Sequence, residues 1–294
     1  MRVVMFHSGK EFPTFLEDNF RQFRYFNPNT PVYFLTDYGH LDNPIFAKYG
    51  IISVNKDDYY CERVTEFERL FGRSSDDFWT LAATRLIYIE NFMRLRQLLN
   101  VYHFENDVLI YYDLNEYHQY IKKNYQIGMT IGGPDKCMTG FAFFKDYKAL
   151  QHMNTYFLTL LFEYGVKGVL QKFRMDMVNE MTLMRVYASD ADSKLRPFPT
   201  MPVPPMNYKL DDFGSLFDPA SWGQYVGGTR SEGPGATPQD HYIGQWIKNN
   251  PEVRLVWIYR EDHLRVPCLV YEDTGYPINN LHIHSKNLHL YTSR

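Results

Sequence analysis

The sequence predicts an α/β fold, a mixed and mostly parallel central sheet flanked by helices. Short apolar runs alternate with segments of helical period, the runs end at turn or polar residues, and the longest periodic helix leads straight into another apolar run. Residues 2–7 form the first run, which stops at Ser8-Gly9. From Glu11 onward, Phe12, Phe15, Leu16, Phe20, Phe23 and Phe26 recur at helical spacing. Asn27-Pro28-Asn29-Thr30-Pro31 breaks that helix; residues 32–35 then read as a second strand closing at Thr36-Asp37, and residues 51–54 as a third. In a parallel sheet the ligand lies beyond the carboxyl ends of the strands, which is where Ser8 and Asp37 fall.

Residues 78–100 form the longest periodic helix, with Leu81, Leu86, Ile89, Phe92, Met93 and Leu99 on its apolar side. Residues 101–104 make a strand that runs into Glu105-Asn106-Asp107, and residues 108–111 resume the apolar character before Asp113-Leu114. Residues 127–131 and 138–144 read as two more strands, followed by helices over about 147–188. Residues 197–235 are rich in Pro and Gly, so regular elements there should be short, and an irregular stretch of this length usually carries function.

With 294 residues and 45% hydrophobic side chains the chain can bury a sizeable core, here as one domain over 1–294. The 31 basic and 34 acidic residues give a formal charge of -3, without the broad cationic surface that nucleic-acid binding needs. Aromatic side chains are abundant, and their flat faces and polar edges suit sugars and bases. Cys61, Cys137 and Cys268 show no CxxC spacing, so neither a disulfide framework nor a zinc knuckle is indicated. A reducing, cytoplasmic location is expected: the N-terminal apolar run is too short for a signal peptide, and no stretch approaches the ~20 apolar residues of a membrane span.

Two acidic side chains flanking one residue at a strand end can aim oxygen ligands at a hard divalent cation that also takes diphosphate oxygens. The apolar runs on both sides of Glu105-Asn106-Asp107 argue against a merely solvated acidic face. Near the C-terminus, His282 and His284 alternate along an extended segment and so share a side, with Lys286 two residues on. Imidazole suits a manganese-type ion and an ammonium can neutralise phosphate.

The stretch from Tyr102 to Leu114, a strand, the acidic triplet, an apolar run and Asp-Leu, resembles the DxD region of GT-A fold nucleotide-sugar glycosyltransferases. That resemblance implies a metal-dependent hexosyl- or pentosyltransferase using a UDP- or GDP-sugar donor, a glycan or glycoconjugate acceptor, and Mn²⁺ or Mg²⁺. Glu stands where the family has its first Asp, which makes Asp107 the leading ligand over Glu105. Residues 1–145 look like the donor half, with His7, Ser8 and Asp37 at the nucleoside and Arg85 and Asn106 beside the donor. Thr139-Gly140-Phe141 is similar to the turn next to the donor sugar. Residues 146–294 look like the acceptor half. Its C-terminal segment resembles that of glycogenin-like transferases, implying a metal ligand at His284, ahead of His282, and a diphosphate contact at Lys286. Three carboxylates stay open for the reacting centre. Glu180 lies in a helix near which related enzymes place such a group; Asp218 belongs to an aromatic segment ending in Gly227-Gly228; Asp240, before His241, resembles the acidic-His motif of blood-group-type transferases. Each has an ordinary alternative, a surface helix charge, a turn and a helix N-cap respectively. Trp222, Tyr225 and Tyr242 offer faces for an acceptor sugar.

Two other readings compete. A sugar nucleotidyltransferase should show a Gly-rich basic loop after the first strand, and His7-Ser8-Gly9-Lys10 is a poor match. A catalytically silent glycan- or nucleotide-binding protein would use the same aromatics and acids without turnover.

Overall fold

The computed structural model describes residues 1–72, 78–229, 233–235 and 241–294. The chain starts with β1 (Arg2–Phe6), α1 (Leu16–Phe26), β2 (Val32–Thr36), α2 (Pro44–Tyr49) and β3 (Ile51–Asn55). Two helices, α3 (Glu62–Phe71) and α4 (Phe78–Leu95), lead to β4 (Val101–Phe104). Next come β5 (Val108–Ile110), α5 (Asn115–Asn124), β6 (Ile127–Ile131) and β7 (Cys137–Phe144), then α6 (Tyr147–Phe173), α7 (Glu180–Ala188) and β8 (Leu195–Pro197). The last third holds α8 (Leu210–Phe213), α9 (Trp222–Gly227), α10 (Tyr242–Asn249), β9 (Arg254–Tyr259), β10 (Arg265–Tyr271), β11 (Thr274–Pro277) and β12 (Asn280–His282).

The central sheet has seven strands in the order β3-β2-β1-β4-β7-β6-β8. Only β7 runs against its neighbours β4 and β6, so the sheet is mixed and mostly parallel as expected. Its strands read as unbroken apolar runs because both faces are covered. Val4, Phe6 and Phe144 pack toward α4 and α6 through Leu86, Phe92 and Phe157, whereas Val3, Met5 and Phe143 pack toward Leu16, Phe20 and Phe23 of α1. Alternation with period two sorts neighbouring residues onto opposite faces.

The structure trims several expected elements. Helix α1 begins at Leu16 rather than Glu11, with Phe12 instead packed among the rings of Phe34 and Phe46 at 6.1 and 5.5 Å between centroids. Helix α4 stops at Leu95, beyond which Gln97 and Asn100 adopt left-handed backbone, φ 52° and 55°. Residues 108–110 do not extend the main sheet; β5 pairs antiparallel with β12 instead. A three-stranded antiparallel sheet, β11-β10-β9, was not anticipated. Among the described residues, no helix is long and apolar enough to cross a membrane.

Strands β1, β2, β3 and β4 are mutually parallel through their neighbours, so all four end at one edge. His7, Asp37, Lys56 and Glu105 follow these ends and therefore sit along that edge.

Candidate functional site

The acidic triplet is a tight turn between β4 and β5, closed by Val108 N–H donating to Glu105 O at 3.1 Å. Two elements, β7 and α1, hold its backbone. Glu105 N–H donates to Gly140 O of β7 at 3.1 Å, while Asn19 of α1 donates from Nδ2 to Asn106 O and Val108 O at 3.0 and 2.8 Å. The carboxylates are thus presented from a fixed turn.

The C-terminal segment reaches the turn through strand pairing. The β5–β12 register puts His282 opposite Val108, and Ile283 N–H donates to Asp107 O at 2.9 Å. His282 Nε2 then lies 3.1 Å from Asp107 Oδ2 and 3.4 Å from Glu105 Oε2. One ligand atom each from Glu105, Asp107 and His282 falls within 4.8 Å of the others. Two carboxylate oxygens and an imidazole nitrogen form a donor set suited to Mn²⁺ or Mg²⁺. His282, not His284, therefore joins the acids. His284 Nδ1 is engaged by Gln224 Nε2 at 2.8 Å, and burial, then neighbouring His282, holds its pKa down at about 3.

Protein cations already sit on both acids. Lys286 Nζ contacts Asp107 Oδ2, and Arg85 donates to Glu105 Oε1 and to Thr139 Oγ1, which itself donates to Glu105 at 3.0 Å. Burial works against the carboxylate charges, but Arg85 and His282 hold Glu105 well below its ordinary value, and His282 and Lys286 do so for Asp107. Burial likewise opposes charge on His282, yet Asp107 and Glu105 outweigh it and raise its pKa. Buried polar atoms without protein partners gather here: Arg85 Nε, Asn106 Oδ1, Glu180 Oε2, His282 Nδ1 and Ser285 Oγ. Such groups are uncommon in folded proteins, and a bound ion, ligand or water can satisfy them.

Beside this cluster, a cavity of about 710 Å³ is lined by Ser8, Gly9 and Lys10 after β1, Asp37 after β2, Lys56 after β3, and Leu81, Thr84 and Tyr88 of α4. Helix α4 thus walls the cavity and, from the same stretch, sends Arg85 to Glu105. Asp37 Oδ2 accepts Gly9 N–H at 2.8 Å, and its Oδ1 pairs with Lys56 at 3.1 Å. His7 Nε2 is hydrogen-bonded to Glu11 O at 3.0 Å, and burial lowers its pKa. A second hollow of about 510 Å³ lies at the amino ends of β2 and β3, around Arg24. Its guanidinium is spent on backbone carbonyls of Asn27, Thr30, Tyr49 and Gly50, which makes it a structural staple.

The remaining candidates divide. Glu180 opens α7 behind an Asn179–Thr182 capping box; burial pushes its carboxyl up to about 7, with Arg85 opposing and Glu105 adding to the rise, so it shares the electrostatic field of the acidic turn. Asp218 does not present a free carboxylate. It is buried and accepts the backbone N–H groups of Ser221, Trp222, Gly223 and His282 at 2.7–2.8 Å, tying the start of α9 to β12. Trp222, expected at an acceptor, is fully buried, donates from Nε1 to Thr200 O at 3.0 Å and packs edge-on against Trp246. Tyr225 and Tyr242 are half-buried. Asp240 lies outside the described residues.

Thr139 stands beside the acidic turn, where the sequence placed a turn next to the donor sugar, whereas Gln224, Lys56 and Tyr88 belong to the site but were not singled out from sequence. Lys56 follows β3 as Asp37 follows β2, so the same strand-end logic could have found it.

No family model matches the chain, and no curated protein matches it in sequence. The fold is nevertheless the GT-A glycosyltransferase fold. Mouse xyloside xylosyltransferase 1 in its apo form aligns with a TM-score of 0.51 at 8% identity, over 67% of this chain and 84% of that one. Galactosyltransferase LgtC, solved with donor and acceptor sugar analogues, gives 0.42 at 12% identity over 68% and 73% of the two chains. Mannosyltransferase Ktr4p from S. cerevisiae gives 0.42 at 12% identity over 67% and 68%. At these identities the likeness concerns the fold.

Proposed function

We propose that this chain is a glycosyltransferase that moves a sugar from a nucleoside-diphosphate sugar to a hydroxyl of a glycan or glycoconjugate, assisted by Mn²⁺ or Mg²⁺. The observation that carries the reading is the convergence of Glu105, Asp107 and His282 within 4.8 Å, beside a cavity at the carboxyl ends of β1, β2 and β3. The GT-A fold supports it. Residues 1–145 form the donor half and residues 146–294 the acceptor half, whose C-terminal segment crosses back to complete the metal site.

Glu105, Asp107 and His282 would hold a divalent ion, which would supply positive charge to the diphosphate leaving group. Arg85, locked by Glu105 and Thr139, keeps Glu105 ionised and oriented. Lys286 is 31% exposed, which leaves its ammonium room to turn from Asp107 to a phosphate oxygen. Ser8 and Asp37 line the nucleoside end, His7 precedes Ser8 at the end of β1, and Asn106 offers its unpartnered Oδ1 from the acidic turn. Glu180 serves the reacting centre, because a carboxyl that titrates near 7 can hold or release a proton at neutral pH. Tyr225 and Tyr242 face the acceptor.

Incubation with a panel of nucleotide sugars, with release of nucleoside diphosphate followed by chromatography, tests the reading. One donor should be slowly hydrolysed with Mn²⁺, and the hydrolysis should stop in excess chelator and in Asp107→Asn. Metal-coupled nucleotide binding with no turnover of any donor, even with glycan acceptors present, would replace it with the silent-binder reading.

A further inference from the structure

The cavity wall contains a carboxylate with no assigned task. Of the acids lining it, Asp37 is engaged through both oxygens, by Gly9 N–H and Lys56. Lys56 in turn is shared with Asp57 at 2.8 Å and lies 5.7 Å over the ring of Tyr88, so it is not a spare donor for a base carbonyl. Glu68 of α3 lines the same cavity, half-buried, and its carboxylate makes no hydrogen bond or ion pair with the described residues. Burial raises its pKa, and among the described residues no cation offsets that rise. Phe6, Phe78 and Tyr88 line the same cavity, apolar and flat enough to flank a base.

A free carboxylate discriminates sharply among bases. Guanine presents N1–H and the exocyclic N2 amine side by side, two donors that match two carboxylate oxygens in a charge-assisted pair. Uracil presents one N–H between two carbonyl oxygens, which a carboxylate repels. Adenine and cytosine place an amine beside an unprotonated ring nitrogen, which is again an acceptor facing an acceptor. We propose that Glu68 is a specificity-determining residue that reads the N1–H and N2 amine edge of guanine, so that the donor is a GDP-sugar. This rests on the donor reading of the cavity given above.

Calorimetric titration of GDP, IDP, UDP, CDP and ADP in the presence of Mn²⁺ tests it. GDP should bind more tightly than UDP by about tenfold or more, the usual worth of a bidentate charged contact to a base edge. IDP lacks only the exocyclic amine, and should lose about tenfold against GDP in the wild type but little in Glu68→Gln, since the variant has already lost the paired acceptor. A thermal melt confirms that the variant, altered on a half-buried helix face, is folded. UDP binding as tightly as GDP, or a GDP to IDP ratio unchanged by Glu68→Gln, would overturn the base assignment while leaving the donor site standing. Failure of all five nucleotides to bind would overturn both.

Discussion

Gly140→Ala isolates one imidazole. A methyl at Gly140 would lie 2.8 Å from His282 Nδ1 and 3.5 Å from Cε1. Ordinary carbon contacts lie at about 3.5–4.0 Å, so the ring must move by roughly 0.7 Å. The main chain cannot supply that movement. His282 N–H is fixed on Asp218, Ile283 N–H on Asp107, and α9 abuts the His282 backbone so closely that a methyl at Gly223 would meet its carbonyl oxygen at 2.2 Å. The ring must therefore turn, carrying Nε2 away from the carboxylates. Metal–ligand distances tolerate only about 0.2 Å, and displacing a supporting contact usually costs about 10–100-fold in affinity. Gly140 lacks the left-handed backbone that would penalise alanine, so the fold should survive. Electron paramagnetic resonance of free Mn²⁺ during titration should show Kd rising by about 10–100-fold. His282→Gln should match it, and the double variant should lose no more than either alone. Unchanged Mn²⁺ affinity in a folded Gly140→Ala protein would refute the assignment of His282 as a ligand.

Three further outcomes follow from the same geometry. Asp107→Asn should weaken Mn²⁺ binding more than Glu105→Gln, because Asp107 faces both His282 and Lys286 while one oxygen of Glu105 is already held by Arg85 and Thr139; calorimetry of both variants checks the order. Lys286→Met should tighten Mn²⁺ binding several-fold without nucleotide, by removing the cation that competes for Asp107, and weaken nucleoside diphosphate binding, worth about 1 kcal/mol each way for a partly exposed pair. Glu180 is raised from 4.5 to about 7, so its contribution to stability is full below the lower value and is lost as pH rises through the upper. Metal-free Glu180→Gln should accordingly gain on the wild type by up to about 3 kcal/mol between pH 5 and 8 in denaturant titrations, and a pH-independent difference would count against the raised pKa.

Much of the sheet was legible because strands covered on both faces leave unbroken apolar runs, and the turn at Glu105-Asn106-Asp107 stood out between two of them. The choice between His282 and His284 was not. In sequence, alternation puts both on one side of an extended segment, but β12 ends at His282 and His284 falls in the turn beyond it, and which one meets the acids depends on pairing Val108 with His282, a contact between distant segments. Trp222 failed as an acceptor residue for a related reason: an aromatic ring looks alike in sequence whether it faces a sugar or, as here, fills the core above Thr200. Asp218 read equally as a turn residue and as a reacting carboxylate; in the fold its oxygens take four backbone N–H groups, one of them from His282. The β9–β11 sheet was legible in principle, since residues 254–259 and 265–271 are rich in β-branched and aromatic side chains.

Titration of GDP and UDP into the protein, once with saturating Mn²⁺ and once with excess chelator, tests the central claim most directly. A divalent ion on Glu105, Asp107 and His282 would add positive charge to acids already neutralised by Arg85 and Lys286 and would leave Lys286 for a phosphate, so at least one nucleotide should bind more tightly with the metal by about tenfold, or 1.4 kcal/mol, or more. Equal affinity in metal and in chelator would contradict a metal-dependent nucleotide-sugar site.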